Sequence, residues 1–408
     1  MNGLNFSLSP EFRWQNVFDK NNVKLILSNA MRYPLTGALA IELPSGKELL
    51  LDKNIKGPKA RISLKSESTL LQLLTGGSLG LANSYLKSEW NTPNLSLLLE
   101  WCSRNESNIA PLLSKPLFAR LAARMAHLSK PNSIRGSRIN IAAHYDLGNE
   151  FYSQWLDSSM TYSAGHFSTS ASSLEEAQIA KFNYIAKSLD LMEHSHLLDI
   201  GGGWGGFGCH VAKHIGCQVT VTTISREQYN YALEKVARAK LTGLVHVIYS
   251  DYRRLTGRFD RISSIEMFEA VGEAYWSTFA KALNRLLSPN GRIFLQTIVI
   301  RDDLFEKYRR NADFIQKYIF PGGMLPSHQA LQRLFAQPEW TWMKLPLSYV
   351  DYGRTLAQWR TRFETSWPQI KYHGFDHNFF RLWQYYLAYC EAGFRSGRIN
   401  IIQSLIGR

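Results

Sequence analysis

The chain has 408 residues, of which 45% are hydrophobic and 20% charged, which is typical of a globular protein of two domains. It contains no apolar run of about 18 residues, so the sequence predicts no membrane-spanning helix. The formal net charge of +14 favours an anionic partner, either a nucleic acid or an anionic membrane surface.

The N-terminus shows no basic segment followed by an apolar one, so we expect no export signal. The cysteines are scattered without the spacing of metal ligands, and they are Cys102, Cys209, Cys217 and Cys390. This usage predicts reduced thiols in a cytoplasmic protein and no metal site.

Residues 1–112 mix strand and helix signals. Residues 37–43 and 48–51 are apolar runs on either side of a Pro-Ser-Gly turn and predict a hairpin. Residues 70–74 and 95–101 favour helices. The sequence therefore predicts a smaller α+β N-terminal domain, in which no catalytic constellation is visible.

A basic connector is predicted at 113–139. Its basic residues are Lys115, Arg120, Arg124, Lys130, Arg135 and Arg138, and no acidic residue lies among them. Leu117, Phe118, Leu121 and Met125 recur at helical spacing, and such a helix suits a lipid headgroup layer. A solvated helix between domains would show the same pattern. No nucleic-acid-binding motif accompanies it, which favours the membrane surface as the anionic partner.

From residue 140 the pattern changes to an alternation of strands and helices. Strands are predicted at 196–200, 218–224, 244–249, 259–265 and 291–300, and helices at 173–189, 205–214, 226–239 and 273–287. Alternation at this spacing predicts an α/β fold with a doubly wound parallel sheet.

A glycine loop follows the first of these strands. The segment Leu197–Gly205 ends an apolar run in Gly-Gly-Gly-Trp-Gly and leads into a predicted helix, where backbone amides can approach an anionic ligand. NAD enzymes and S-adenosylmethionine (SAM) enzymes both use such loops. The next strand, residues 218–225, lacks the acidic residue that usually binds the ribose of a dinucleotide. The loop therefore favours SAM, and a Rossmann-like class I SAM-dependent methyltransferase.

After residue 300 the chain becomes helical and rich in aromatic residues. The tryptophans of this part are Trp340, Trp342, Trp359, Trp367 and Trp383. We expect an aromatic helical cap over the carboxyl edge of the sheet, where such folds bind ligands.

Several longer segments resemble one family in the same order. They are His144–Tyr152, Met160–Phe167, Ser264–Gly272, Ile319–Ser327, Asp351–Trp359, Gly374–Asp376 and Leu382–Arg395. The set resembles the cyclopropane fatty acid synthase family over residues 140–408. Residues 30–105 resemble the N-terminal domain of its two-domain members, most closely at Gly76–Tyr85.

The resemblance implies transfer of a methyl group from SAM to the cis double bond of an acyl chain in a membrane phospholipid. It also implies a cytoplasmic protein bound peripherally to the inner face of the membrane, and a homodimer formed through the N-terminal domain. Aromatic side chains of the cap would steady the carbocation that the chemistry creates.

The resemblance also assigns the cofactor residues. They are Tyr162, Ser163, Asp199, Gly201, Gly203, Gly205, Thr223, Ser225, Gln228, Asp251 and Tyr252. His144 and Tyr145 belong to a segment folded over the cofactor. Asp199 has a second interpretation, as a carboxylate that holds the loop without touching SAM.

The family's site for a bicarbonate base is altered in this chain. Glu269 and Tyr352 match two of its ligands, whereas Ala164 replaces a cysteine and Gln296 replaces a histidine. Either bicarbonate is held with the help of main-chain donors, or a desolvated Glu269 acts as the base. Cys390 matches another family cysteine, as a catalytic residue or as a buried structural thiol.

These replacements leave the product open between a cyclopropane ring and a methyl- or methylene-branched chain. A small-molecule amine N-methyltransferase is an alternative, which the N-terminal domain and the basic connector disfavour. A non-catalytic lipid-binding protein is another, and the intact Glu269, Tyr352 and glycine loop disfavour it.

Overall fold

The computed structural model describes residues 32–109, 132–145, 147–167, 172–335, 340–345 and 349–407. Most of the predicted basic connector, residues 113–131, lies outside the described residues. The boundary predicted between 112 and 113 also lies outside them.

The N-terminal part forms a four-stranded sheet. Its strands are β1 (Thr36–Glu42), β2 (Glu48–Asp52), β3 (Ile55–Leu64) and β4 (Trp90–Asn91), in the order β2-β1-β3-β4. Strands β1 and β2 pair antiparallel, as the predicted hairpin requires. Its helices are α1 (Glu67–Leu86), α2 (Leu95–Arg104) and α3 (Glu106–Ile109), and α1 is kinked at Gly77.

Three helices precede the large sheet, α4 (Ile134–Tyr145), α5 (Asn149–Ser153) and α6 (Leu174–Ser188). Five strands then follow, β5 (His196–Ile200), β6 (Gln218–Thr223), β7 (Val245–Tyr249), β8 (Phe259–Ile265) and β9 (Leu287–Ile300). The helices between them are α7 (Gly206–Ile215), α8 (Arg226–Arg238) and α9 (Trp276–Leu286). These five strands pair in parallel with one another, as predicted.

The large sheet has seven strands, because two strands that the sequence analysis missed extend it. They are β10 (Thr341–Leu345) and β11 (Ile399–Gly407), and the strand order is β10-β11-β9-β8-β5-β6-β7. Strand β11 runs antiparallel to both β9 and β10. The predicted doubly wound parallel sheet is therefore extended at one edge by two antiparallel strands, whose pairing depends on residues that are far apart in sequence.

The cap consists of α10 (Asp302–Arg309), α11 (Phe314–Tyr318), α12 (His328–Phe335), α13 (Tyr349–Thr365), α14 (Trp367–Tyr372) and α15 (His377–Arg395). Trp359, Trp367 and Trp383 lie in its helices, as predicted. Trp342 lies in the edge strand β10 and Trp340 directly before it, so the prediction that both belong to the helical cap was wrong.

The N-terminal sheet and the cap share one hydrophobic core. The guanidinium of Arg381 in α15 donates to the carbonyl oxygens of Tyr85 at 2.7 Å and Trp90 at 3.2 Å. The Tyr85 hydroxyl donates to Gln384 Oε1 at 2.5 Å. These contacts fix the small sheet against the helices that cover the large one. Within the described ranges, no helix is long and apolar enough to cross a membrane.

Candidate active site

The site lies where the strand order reverses. Strand β5 has β6 on one side and β8 on the other, and ligands of such sheets bind beyond the carboxyl ends of the strands at this point. Gly201, Gly203 and Gly205 follow β5 with φ values of 72°, 59° and 76°, which only glycine adopts without strain. A Cβ on Gly201 would lie 2.5 Å from Met267 Cγ. The loop is thus compact, and it is tied to β6 by a hydrogen bond of 3.0 Å from the Gly202 amide to the Thr222 carbonyl oxygen.

Asp199, the penultimate residue of β5, lies directly beneath this loop. Its Oδ1 accepts a hydrogen bond of 2.6 Å from Ser263 Oγ, whereas its Oδ2 is buried without a partner in the described structure. Burial raises the pKa of Asp199 to about 6. A buried carboxylate oxygen with no partner is costly, so the arrangement leaves one acceptor for a ligand donor while the other holds the neighbouring strand.

The predicted ribose-side residues form a hydrogen-bonded group at the carboxyl end of β6. The Thr223 hydroxyl donates to Gln228 Oε1 at 2.7 Å, and Ser225 Oγ caps helix α8 by accepting from the Gln228 amide nitrogen. Gln228 Nε2 faces Gly203. These polar side chains form a wall of hydroxyl and amide groups at the position where a dinucleotide-binding enzyme has its acidic residue.

Asp251 follows β7, and both of its oxygens are engaged by Arg253. Arg253 donates to it from the backbone nitrogen at 2.9 Å, from Nε at 2.8 Å and from a terminal nitrogen at 2.6 Å. Tyr252 is buried between them and packs edge-on against Phe279. Tyr252 therefore contributes a ring surface, and Asp251 acts here chiefly as the anchor of Arg253.

Tyr162 and Ser163 connect the loop to the cap. The hydroxyl groups of Tyr162 and Tyr386 lie 2.5 Å apart, and the Tyr162 ring is stacked with His144. Ser163 Oγ accepts from the buried Lys181 Nζ at 2.6 Å. Burial lowers the pKa of His144 to about 3, so this imidazole is a neutral part of the aromatic packing.

One cavity of about 880 Å³ joins the glycine loop to the N-terminal sheet. Its lining includes the predicted cofactor residues Tyr162, Ser163, Asp199, Gly201, Gly203, Thr223, Gln228, Asp251 and Tyr252. At its other end the lining is apolar and comes from the small sheet, with Leu39, Ile41, Leu51, Ile62 and Leu64. A cavity at the upper end of the usual range of about 300–1,000 Å³ therefore has a polar end and an apolar end.

The residues predicted to hold bicarbonate converge on a protein side chain, Glu266. Glu266 Oε1 accepts from the Ala164 backbone nitrogen at 2.9 Å and from Gln296 Nε2 at 2.8 Å. Its Oε2 accepts from the Tyr352 hydroxyl. Glu266 was not among the predicted site residues, although it directly follows the central strand β8, at the edge of the sheet where such folds bind ligands.

Glu269, three residues later, lines the same cavity. Its Oε1 accepts from the Ile298 backbone nitrogen, and its Oε2 is buried with no partner in the described structure. Burial, followed by the negative charge of Glu266, raises the pKa of Glu269 to about 8. The raised pKa agrees with the expectation for a desolvated Glu269, and it favours the neutral form of this carboxyl group.

This geometry does not fit a bound bicarbonate ion. Three donors that the ion would need, on Ala164, Gln296 and Tyr352, are already engaged by the Glu266 carboxylate. A second anion would also lie beside two carboxyl groups, which costs free energy in a buried site. Of the two alternatives for the base, the residues present therefore do not fit bicarbonate.

Cys390 lies in the cavity wall. Burial raises the pKa of its thiol well above the ordinary value. A thiol that stays protonated is a poor nucleophile and a poor base, so the geometry favours the structural interpretation of Cys390.

Strand order, glycine loop and the wall of hydroxyl and amide groups together define a class I SAM-dependent methyltransferase. A sequence model of the mycolic acid cyclopropane synthetase family matches residues 132–404. The chain belongs to this family.

Relatives of known function match over most of the chain. The tuberculostearic acid methyltransferase UfaA1 of Mycobacterium tuberculosis is 35% identical over 342 residues, covering 80% of this chain and 78% of that protein. The cyclopropane-fatty-acyl-phospholipid synthase of Escherichia coli strain K12 is 34% identical over 352 residues, covering 86% and 88%.

Solved structures agree with the fold. The mycolic acid cyclopropane synthase CmaA1, complexed with SAH and CTAB, has a TM-score of 0.62 and 29% identity and covers 66% of this chain and 98% of its own. Coclaurine N-methyltransferase has a TM-score of 0.61 at 18% identity, which is a likeness of fold alone.

Proposed function

We propose that the protein transfers the methyl group of SAM to a double bond of an unsaturated acyl chain in a membrane phospholipid. The observation that carries this proposal is the single cavity that runs from the glycine loop to the apolar side of the N-terminal sheet. Relatives named for cyclopropane synthesis on phospholipids and for fatty acid methylation support it.

The apolar end of the cavity suits a hydrocarbon chain. It is lined by Leu39, Ile41 and Ile62, each of which is less than a tenth exposed. The residues that β1 and β3 contribute to the lining include no charged one. Each buried methylene group of a substrate contributes about 0.8 kcal/mol, so a long acyl chain gains binding energy there. A small amine would leave this surface unused.

SAM, when bound, supplies an electrophilic methyl group on a sulfonium ion. The loop glycines and Asp199 would hold it at the end of β5, with Gln228 and Tyr252 on its nucleoside side. Aromatic rings exclude water from the place where the double bond must lie; those in the lining are Tyr145, Tyr162, Trp204, Phe320, Tyr352, Tyr386 and Phe394. Each ring face stabilises a nearby cation by about 0.5–2 kcal/mol, which favours the carbocation left on the acyl chain.

Loss of a proton then decides the product. Removal from the added methyl group closes a cyclopropane ring, and removal from a neighbouring carbon gives a branched alkene. The replacements at Ala164 and Gln296 change the surroundings of this step, and one similar relative is a tuberculostearic acid methyltransferase. We keep the phospholipid cyclopropane synthase as the first candidate and the branching methyltransferase as the second.

The direct test uses purified protein, methyl-labelled SAM and vesicles of unsaturated phospholipid. Fatty acid methyl esters would be analysed by mass spectrometry and proton NMR. A gain of one CH₂ with upfield ring protons identifies a cyclopropane synthase. The same mass with vinylic or exomethylene signals identifies the branching enzyme, and the absence of label from lipid contradicts the proposal.

We also infer that the basic connector docks the protein on an anionic membrane, and that the protein forms a homodimer. Of the connector's basic residues, the described ones are Arg135, which is exposed, and Arg138, whose guanidinium lies over the Tyr249 ring. Arg138 therefore packs within the protein, and any contact with lipid belongs to the residues before it.

A further inference from the structure

Glu266 is held in one orientation by groups from three separate segments. Ala164 precedes helix α6, Gln296 lies in β9 and Tyr352 lies in α13, and each donates a hydrogen bond to the Glu266 carboxylate. An ionised carboxylate accepts only, whereas a carboxylic acid must also donate. Two N–H groups, which can only donate, and one hydroxyl group surround the Glu266 carboxyl group, and this set favours the anionic form.

The backbone of Glu266 is also constrained. Its φ of 51° lies in the left-handed region, which is uncommon for a residue other than glycine and is found where a site requires it. Its amide nitrogen donates to the Gln296 carbonyl oxygen at 2.8 Å. Strand β9 thus contacts Glu266 through both main chain and side chain.

Glu266 and Glu269 have neighbours of opposite charge. Lys181 is 1% exposed and lies close enough to lower the pKa of Glu266 against the effect of burial. Glu269 has no such cation among the causes that set its pKa, and the charge of Glu266 raises it. Burial raises the pKa of both carboxyl groups. Of the two, Glu266 is the one whose ionised form is stabilised by a buried cation and by three hydrogen bonds.

We infer that the Glu266 carboxylate, fixed by Ala164, Gln296 and Tyr352, takes the place of a diffusible anion and removes the proton that completes the reaction. This inference rests on the proposed function. Glu266 lines the cavity between the glycine loop and the aromatic cap, so its carboxylate is open to the acyl chain on that side.

The step balances as follows. The π electrons of the alkene form a bond to the sulfonium methyl group while the carbon–sulfur bond breaks, which gives S-adenosylhomocysteine and a carbocation on the chain. The Glu266 carboxylate accepts a proton from carbon, and the electrons of that C–H bond close the ring or form a double bond. Glu266 leaves the step as a carboxylic acid and later releases the proton to solvent.

The test compares Glu266→Gln and Glu266→Gly in CO₂-free buffer, with and without added bicarbonate or formate, in the labelled-vesicle assay. Glycine is compatible with the φ of 51° and leaves the three donors free for a small anion. We expect Glu266→Gln to lose about 10²–10⁴-fold in turnover, with no response to either anion. We expect Glu266→Gly to be inactive alone and partly restored by bicarbonate or formate. Wild-type turnover should not depend on bicarbonate.

The exposed Glu234→Gln serves as the matched control, and SAM binding by calorimetry reports whether each variant is folded. Turnover of Glu266→Gln within threefold of wild type would overturn the inference, as would a wild-type requirement for bicarbonate. A loss in both variants that no anion restores would assign Glu266 a structural role and would overturn it too. If wild type itself puts no label into lipid, the proposed substrate is wrong, which is a separate result.

Discussion

Gln403 Nε2 donates a hydrogen bond of 2.7 Å to Gln296 Oε1, and the two residues are direct partners in the antiparallel pairing of β11 with β9. Because its oxygen is engaged, Gln296 turns its amide nitrogen toward Glu266. The edge strand that closes the sheet thus sets the orientation of a side chain in the site. Gln403 is a positioning residue that the sequence analysis did not consider.

This relationship predicts the effect of Gln403→Leu. The variant leaves Gln296 Oε1 buried without a donor, so we expect the free energy of unfolding to fall by about 1–3 kcal/mol. Turnover should also fall, because the Gln296 amide is free to rotate away from Glu266. Ser404→Ala is the control, since Ser404 points to the other face of the strand. Denaturant titration and the vesicle assay measure both effects; equal turnover in the two variants would contradict the positioning role.

Glu269 should make stability depend on pH. Its pKa is raised to about 8 in the folded state, so between about pH 4.5 and 8 the unfolded chain binds fewer protons there, and stability falls as pH rises. We expect Glu269→Gln to be free of this decrease in stability. The free energy of unfolding of the variant minus that of wild type should therefore increase from pH 5.5 to pH 7.5. A constant difference across that range would show that Glu269 is ionised in the folded protein.

Lys181→Met should move the pH dependence of turnover. The variant removes a buried positive charge that lowers the pKa of Glu266, so the carboxylate becomes harder to ionise. We expect the acidic limb of the pH–rate profile to shift upward by about one pH unit. Lys187→Met, on the exposed face of the same helix, should leave the profile unchanged. If the acidic limb of the pH–rate profile of Lys181→Met does not shift, Lys181 does not affect the ionisation of Glu266.

Gly201→Ala should abolish SAM binding. A Cβ there would lie 2.5 Å from Met267 Cγ, and the φ of 72° is strained for alanine, so the loop must move. The control is Gly243→Ala, where nothing lies within 4 Å of the added carbon. Calorimetry with S-adenosylhomocysteine should show more than tenfold weaker binding in the first variant alone. Unchanged affinity would mean that the loop amides do not carry the cofactor.

The basic connector should bind anionic vesicles through long-range electrostatics. Replacing Arg120 and Arg124 with glutamate should weaken vesicle binding, and the difference from wild type should shrink as salt is raised from 0.15 M to about 0.5 M. The double variant Lys187→Glu with Lys213→Glu, at two exposed positions on α6 and α7, is the control for net charge. Sedimentation with vesicles measures the bound fraction, and equal binding of the double variant and wild type would disprove docking by this segment.

Much of the large sheet was predictable from local pattern. The predicted limits of β5 and β8 agree with the structure residue for residue, because a central parallel strand is an apolar run that ends where polar or glycine residues begin. Strands β10 and β11 were missed because their pairings join residues that are far apart in sequence. Thr341 of β10 pairs with Gly407 of β11, and Gln403 of β11 pairs with Gln296 of β9, so no local period reveals either pairing.

The sequence by itself determined the glycine loop, the lack of an acidic residue over residues 218–225 and the candidate residues Glu269, Gln296 and Tyr352. It did not determine which carboxylate those residues surround. The Glu266 site joins β8 to residues 30, 86 and 102 positions away, and hydrogen bonds at that separation exist only after the strands and the cap have packed. The type of each residue can be read from the sequence, whereas the direction in which a donor group points depends on the whole fold. The directions of these donors make Glu266 part of the site.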